Sequence, residues 1–311
     1  MIFRMAEQAI VTYAFSTVVW TRLVFMHSKA IGSTLVWADF RIRPFLNDSI
    51  CNAMRKLLLF ALALMVGGLL RAQEQMPDAS LFVAHRHVVG NDTLPYLLYR
   101  SQKADTTVEA LPLVIFLHGA GERGNDNVMQ LKHCVKYFLD DTITSRYPFM
   151  LMAPQCPNEK RWVDTDWSLP EHTMDSLPTT ELQGVMAVLD SLIACGAVDS
   201  TRVCICGISM GGYGTWEALQ RWSEKFAAAI AICGGGDPAY AEAMKDIPIY
   251  IFHGLLDGIV MPSRSIQMYG ALNDVGNHEA VLVTYPKLEH GCWDEAFSTP
   301  GLLKWLFEKK R

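Results

Sequence analysis

The sequence predicts an α/β protein, built on a mainly parallel sheet with helices on both faces and an antiparallel hairpin at its start. Three observations carry that expectation. Strand-like and helical stretches alternate from residue 111 onward. The run Leu111–Leu117 is apolar without interruption, as a strand buried on both faces requires. Two strand-like segments, 81–89 and 94–100, flank Gly90-Asn91-Asp92, a turn signal that favours a hairpin.

After the hairpin and Leu111–Leu117, further strand-like runs fall at 149–153, 202–206, 227–232, 247–252 and Ala280–Tyr285. Helical spacing of apolar residues places helices at 127–139, Thr180–Ala194, 212–222, 239–245, Ser263–Asp274 and 300–309. No repeat, low-complexity tract or Pro/Ser-rich linker interrupts residues 73–311, so that stretch reads as one domain. Its longest irregular segment, 155–178, follows a strand at the carboxyl end, where open α/β sheets bind ligands.

The chain has 311 residues, of which 50% are hydrophobic and 19% charged, with a formal net charge of -5. No Lys/Arg-rich run marks residues 73–311, so the electrostatic footprint of a nucleic-acid binder is missing. Met54-Arg55-Lys56, the apolar run 57–70 and Arg71-Ala72 follow the order of a secretory signal peptide. Residues 54–72 are read as that peptide and 1–53 as an upstream extension or an uncommon leader. The expectation is a secreted or periplasmic protein with no stable membrane insertion after cleavage. The rival is an anchor at 10–26 or 57–70; the first is broken by Thr21-Arg22, and the second falls short of the ~20 residues a spanning helix needs.

Of eight cysteines, Cys51 lies in the leader. The rest show no zinc-ligand spacing, and no metal or cofactor is expected. One or two disulfides are compatible with an oxidising compartment, but the spacing assigns no pair.

Chemistry is concentrated in Cys206-Gly207-Ile208-Ser209-Met210-Gly211-Gly212-Tyr213-Gly214. A serine between glycines, after a strand and before a helix, is the pattern of a nucleophile held in a sharp turn. The pattern alone is weak; the strand before it and the helix after it give it weight. Ser209 is the candidate nucleophile. Its activation needs an imidazole within hydrogen-bond reach and a carboxylate to orient that imidazole. His290 follows the strand ending at Tyr285, whereas His278 precedes that strand and sits at its other end. Asp257, just past the penultimate strand, is the candidate acid, ahead of Asp237 and Asp274. His253 is expected to pack or brace a loop. Negative charge on a substrate carbonyl would be met by the backbone N–H groups of Met210 and of Ala120, in the turn His118-Gly119-Ala120-Gly121.

These segments, with Glu122-Arg123-Gly124, Ala153-Pro154-Gln155-Cys156-Pro157, Arg161-Trp162 and His290-Gly291-Cys292-Trp293, resemble the secreted α/β-hydrolase esterases. That group carries the labels phospholipase/carboxylesterase, dienelactone-hydrolase-like and prolyl-oligopeptidase-type. The resemblance spans most of residues 81–308. It implies the α/β-hydrolase fold and a serine carboxylesterase that works through an acyl-serine at Ser209, Asp257 and His290, with Ala120 and Met210 as oxyanion donors. The implied substrates are small-molecule or polysaccharide-linked esters, including acetyl or feruloyl ones. A serine peptidase of prolyl-oligopeptidase type and a non-catalytic carbohydrate-binding protein are the alternatives. The aspartate segment departs from relatives in carrying Met261 between Val260 and Pro262. Trp162, Trp167 and Trp293 are candidates for an aromatic wall against a sugar or aryl ester, with core packing as the commoner role of such residues, and Glu122 and Arg123 are read as an ion pair bracing their loop ahead of a substrate contact.

Overall fold

In a computed structural model, residues 76–90, 92–101 and 110–311 are described. The expected leader and signal peptide, 1–53 and 54–72, lie outside them. Eight strands form one sheet: β1 (Phe82–Val89), β2 (Asp92–Arg100), β3 (Leu111–Leu117), β4 (Met150–Pro154), β5 (Val198–Ile208), β6 (Ala228–Ile232), β7 (Ile249–Gly254) and β8 (Ala280–Tyr285). Their spatial order is β1-β2-β4-β3-β5-β6-β7-β8. The β1/β2 and β2/β4 pairs are antiparallel, and the other five are parallel. Because order reverses around β3, the carboxyl ends of β3 and β5 open side by side.

Alternation along β3 divides the interior into two cores. Leu113, Ile115 and Leu117 face one side, with Leu182 and Val185 of α1 (Thr180–Ala194), Tyr213 and Trp216 of α2 (Met210–Trp222), and Met268 of α3 (Ser263–Asp274). Val114 and Phe116 face the other, with Phe138, Phe297 and Leu306, the last on α4 (Leu302–Glu308). A strand flanked by cores on both faces has no solvent side, which is why its sequence does not alternate. The mixed sheet, its antiparallel start and its two helical layers make an α/β-hydrolase fold.

The expected helix at 127–139 is corrected. A 3₁₀ turn at Met129–Leu131 and one helical turn at Val135–Phe138 occupy it, because Asn127 and Cys134 take φ of 57° and 65°, which no continuous helix allows. Asn127 is held there by Gln155 Oε1, which accepts from its backbone N–H at 2.7 Å, and by Tyr96 O, which accepts from its side chain. The segment expected as a helix at 239–245 is a 3₁₀ helix, Pro238–Met244, capped by Asp237.

Candidate active site

Ser209 sits between β5 and α2 with φ 54° and ψ -118°. Its N–H donates to Ile232 O at 2.8 Å, tying the turn to β6. The approach of strand and helix leaves no space for side chains. A Cβ on Gly207 would stand 2.2 Å from Gly211 O, and one on Gly211 1.9 Å from Leu117 O. The first turn of α2 is thereby pressed against the exit of β3.

His290 follows β8, and its ring bridges two residues remote in sequence. Nδ1 lies 2.7 Å from Asp257 Oδ2, and Nε2 lies 2.7 Å from Ser209 Oγ. With the proton on Nδ1, the Nε2 lone pair faces the serine hydroxyl, the arrangement that can withdraw its proton. Close backbone contact sets this position. A Cβ on Gly254, at the end of β7, would be 2.2 Å from Glu289 O, and Leu256 N–H donates to Leu288 O at 2.9 Å.

Asp257 is buried, and both of its oxygens are engaged. Oδ1 accepts from the N–H groups of Ile259 and Val260 at 2.8 and 2.9 Å; Oδ2 faces His290 and, at 3.2 Å, His253 Nε2. Burial opposes ionisation, but hydrogen bonds from His253, His290 and Val260 outweigh it and hold the carboxyl well below the usual carboxylate range. Met261 is 43% exposed, so the extra residue is absorbed at the surface while Val260 keeps its bond to Asp257.

The other candidates have different work. Asp237 accepts from Met174 N–H and Ala239 N–H, and His278 and Asp274 are exposed. His253 is fully buried, with Nδ1 2.7 Å from Ser265 Oγ and Nε2 3.0 Å from Val260 O, so it braces the aspartate turn.

Ala120 and Met210 begin adjacent helical turns, a 3₁₀ turn at Ala120–Glu122 and α2 at Met210. First-turn N–H groups have no partner within their own helix. The β3 exit runs beside the serine: a Cβ on Gly119 would lie 3.6 Å from Ser209 Cβ. Behind this exit stands His118, whose role was not read from the sequence. It is 0% exposed; Nδ1 contacts Gly119 O at 2.6 Å, and Nε2 accepts from Cys156 N–H at 2.9 Å. Gln155 adds a second tie, donating to Glu122 O and Asp126 Oδ1. Both residues sit at strand exits within the segments that carried the resemblance, which was the available signal.

Two expectations are corrected here. Trp162 is no substrate wall: it is 0% exposed, and its indole N–H donates to His118 O at 3.0 Å, so it supports the turn from beneath. Glu122 and Arg123 do not pair. Arg123 donates to the carbonyls of Ala120 and Lys160, while the Glu122 carboxylate lies 3.5 Å from His133 Nε2. Trp293 is half-buried and meets His290 edge-on, its ring centroid 5.8 Å from the imidazole centroid. Trp167 is half-buried under the Arg161 guanidinium at 4.4 Å.

Cys233, His253 and Asp257 bring one donor atom each within 4.8 Å of one another. These donors are already engaged. His253 and Asp257 face each other and the aspartate turn, and the Cys233 thiol, 3.2 Å from His290 O, is held protonated by its contact with Cys292 and by burial. A protonated buried thiol is neither a metal ligand nor a nucleophile.

Residues 104–299 match the family model described as Phospholipase/Carboxylesterase. A protein of Oryza sativa subsp. japonica named as a carboxylesterase is 25% identical over 199 residues, 58% of this chain and 82% of its own length. A bifunctional acetylxylan esterase/xylanase of Neocallimastix patriciarum is 30% identical over 88 residues, 28% of this chain and 13% of that one. The solved structure of a thermostable esterase superposes with a TM-score of 0.67 at 32% identity, covering 75% of this chain and 64% of that one. This chain therefore spans less than two thirds of the thermostable esterase. From its sheet, its site and this match over most of its length, the chain belongs to the phospholipase/carboxylesterase family of α/β-hydrolases.

Proposed function

We propose that the protein is an exported serine carboxylesterase. In this reading His290 takes the Ser209 proton as Oγ attacks the ester carbonyl, and the N–H groups of Ala120 and Met210 meet the oxyanion. Asp257 keeps the proton on His290 Nδ1 and stabilises the imidazolium that forms. Collapse breaks the bond to the alcohol oxygen, which receives the proton from Nε2. Water, deprotonated by His290, then attacks the acyl carbon, the bond to Ser209 Oγ breaks as Nε2 returns the proton to that oxygen, and the acid is released.

The observation that carries the reading is the 2.7 Å contact on each side of the His290 ring, linking a buried carboxylate to a serine hydroxyl in a tight turn. The substrate class rests on a relative and on one aromatic side chain. One relative is named as a bifunctional acetylxylan esterase/xylanase, and half-buried Trp293 meets the His290 ring edge-on, so acetyl or feruloyl esters of polysaccharides are the proposed substrates. Export rests on the charged-then-apolar order of residues 54–72. Among the described residues, no helix is long and apolar enough to cross a membrane.

The test is turnover of short-chain, acetyl and feruloyl esters by the wild type and by Ser209→Ala, with fluorophosphonate labelling alongside. The expected result is a fall in kcat of about 10⁴-fold or more and loss of the label. A variant that keeps most of its rate overturns the reading. Faster cleavage of matched peptides than of esters would favour a peptidase instead.

A further inference from the structure

We infer that Cys233 and Cys292 are a disulfide pair, a covalent clamp across the back of the His290 loop. The two sulfurs lie 3.3 Å apart, and both side chains are fully buried. They come from elements 59 positions apart in the chain, Cys233 just past β6 and Cys292 two residues after His290. A bond between them needs the sulfurs to close from 3.3 Å to about 2.05 Å.

Position gives the pair its importance. Cys233 N–H donates to Phe252 O at 2.9 Å, and Ile232, its neighbour, accepts from Ser209 N–H at 2.8 Å. On the other side, Cys292 N–H donates to His290 O at 3.0 Å, and the same carbonyl accepts from the Cys233 thiol at 3.2 Å. The pair thus joins the strand that anchors the serine turn to the loop that presents the imidazole. In the thiol form this junction is a weak S–H hydrogen bond; in the disulfide form it is a covalent bond.

The other cysteines are placed differently. Cys204 and Cys206 share one face of β5, in the core with Val114 and Phe116, and direct their thiols to Leu306 O and Ile115 O; Cys195 is exposed. The neighbouring Cys292 sulfur and burial raise the Cys233 thiol well above its ordinary range, so the folded protein carries almost no thiolate there. The bond therefore forms as the chain folds, before the thiols are enclosed. One cysteine thiolate attacks an external disulfide and releases one thiol; the second cysteine thiolate then attacks the mixed disulfide and releases the other. The two cysteines lose two hydrogens, and the external disulfide is reduced to two thiols. Once enclosed, the bond is shielded from reductant.

The experiment is oxidative refolding in a mixture of reduced and oxidised glutathione, beside refolding in excess dithiothreitol, followed by alkylation, proteolysis and mass spectrometry. The expected result is a linked peptide pair containing Cys233 and Cys292, two hydrogens lighter than the separate thiol peptides. The oxidised sample should melt about 5–10 °C above the reduced one. That difference should vanish in the double variant Cys233→Ser, Cys292→Ser. Recovery of both cysteines fully alkylated from correctly folded oxidised protein overturns the inference, as does a link from either to another cysteine. Where refolding fails, the same trapping on protein exported to a bacterial periplasm decides the matter. The readout is independent of ester turnover, so its failure and the failure of the esterase reading are distinguishable.

Discussion

His253 stands 3.2 Å from Asp257, its Nε2 facing Oδ2, the oxygen that His290 also contacts. The aspartate is thus held from behind by one imidazole while it orients another. Replacing His253 with Phe removes a donor to a buried carboxylate and leaves Ser265 Oγ without its ring partner. The expected outcome is a loss of about 1–3 kcal/mol of stability, with kcat reduced about tenfold and KM little changed as Asp257 loosens. Denaturant unfolding and ester kinetics check both parts; an unchanged kcat would show that His253 only packs.

Ala120→Pro tests the oxyanion assignment at the backbone, by removing an N–H. Ala120 is the first residue of a 3₁₀ turn, and Gly119 before it is extended at φ -77° and ψ 177°, the conformation proline favours in its predecessor. The substitution deletes one N–H and leaves the turn. A fall in kcat of about 10²–10³-fold with a native circular dichroism spectrum is expected. Normal turnover would remove Ala120 from the mechanism.

Gly211→Ala and Gly121→Ala form a matched pair. The first would put a methyl group 1.9 Å from Leu117 O, a backbone atom that cannot yield without moving β3; the second meets nothing within 4 Å. Gly211→Ala should lose about 3 kcal/mol or more, or fail to fold, while Gly121→Ala stays within about 0.5 kcal/mol of wild type. Thermal melts of the two variants measure this directly.

Acid should weaken the turn that carries Ala120. Burial holds the His118 imidazole down from 6.5 to about 4, so the fold favours the neutral ring whose Nε2 accepts from Cys156 N–H. The folded value lies below the unfolded one. This contribution is therefore complete above about pH 6.5 and is lost as pH falls through about 4, amounting to about 3 kcal/mol. Unfolding free energies at pH 7, 5.5 and 4.5 should decline less in His118→Gln than in wild type. Equal slopes would assign the acid sensitivity to other groups.

Most of the site could be read from the sequence because its parts stand at strand ends. Leu111–Leu117, Thr180–Ala194, Ser263–Asp274 and Ala280–Tyr285 are found with the bounds read from the sequence: the first is buried along its whole length, the two helices bury Leu182, Val185 and Leu189 and Met268 and Leu272, and the last pairs with β7 residue by residue. The segment 127–139 was misread because its conformation is decided elsewhere, by Gln155 and Tyr96 holding Asn127 at positive φ. Trp162 was misplaced for a related reason: an aromatic residue in an irregular loop gives no periodic sign of which way it points, and here a carbonyl of His118 draws it inward. His118 itself escaped notice because a polar residue at 0% exposure is recognisable only by its partners.

Ser209 occupies a backbone conformation, φ 54° and ψ -118°, that an L-amino acid enters only at a penalty of order 1–3 kcal/mol. Glycine would sit there comfortably. The chain is consequently most relaxed at this point in a form that lacks the hydroxyl altogether. Ease of backbone and presence of the side chain pull against each other at a single peptide unit, and the hydrogen bond to Ile232 O holds the serine in place.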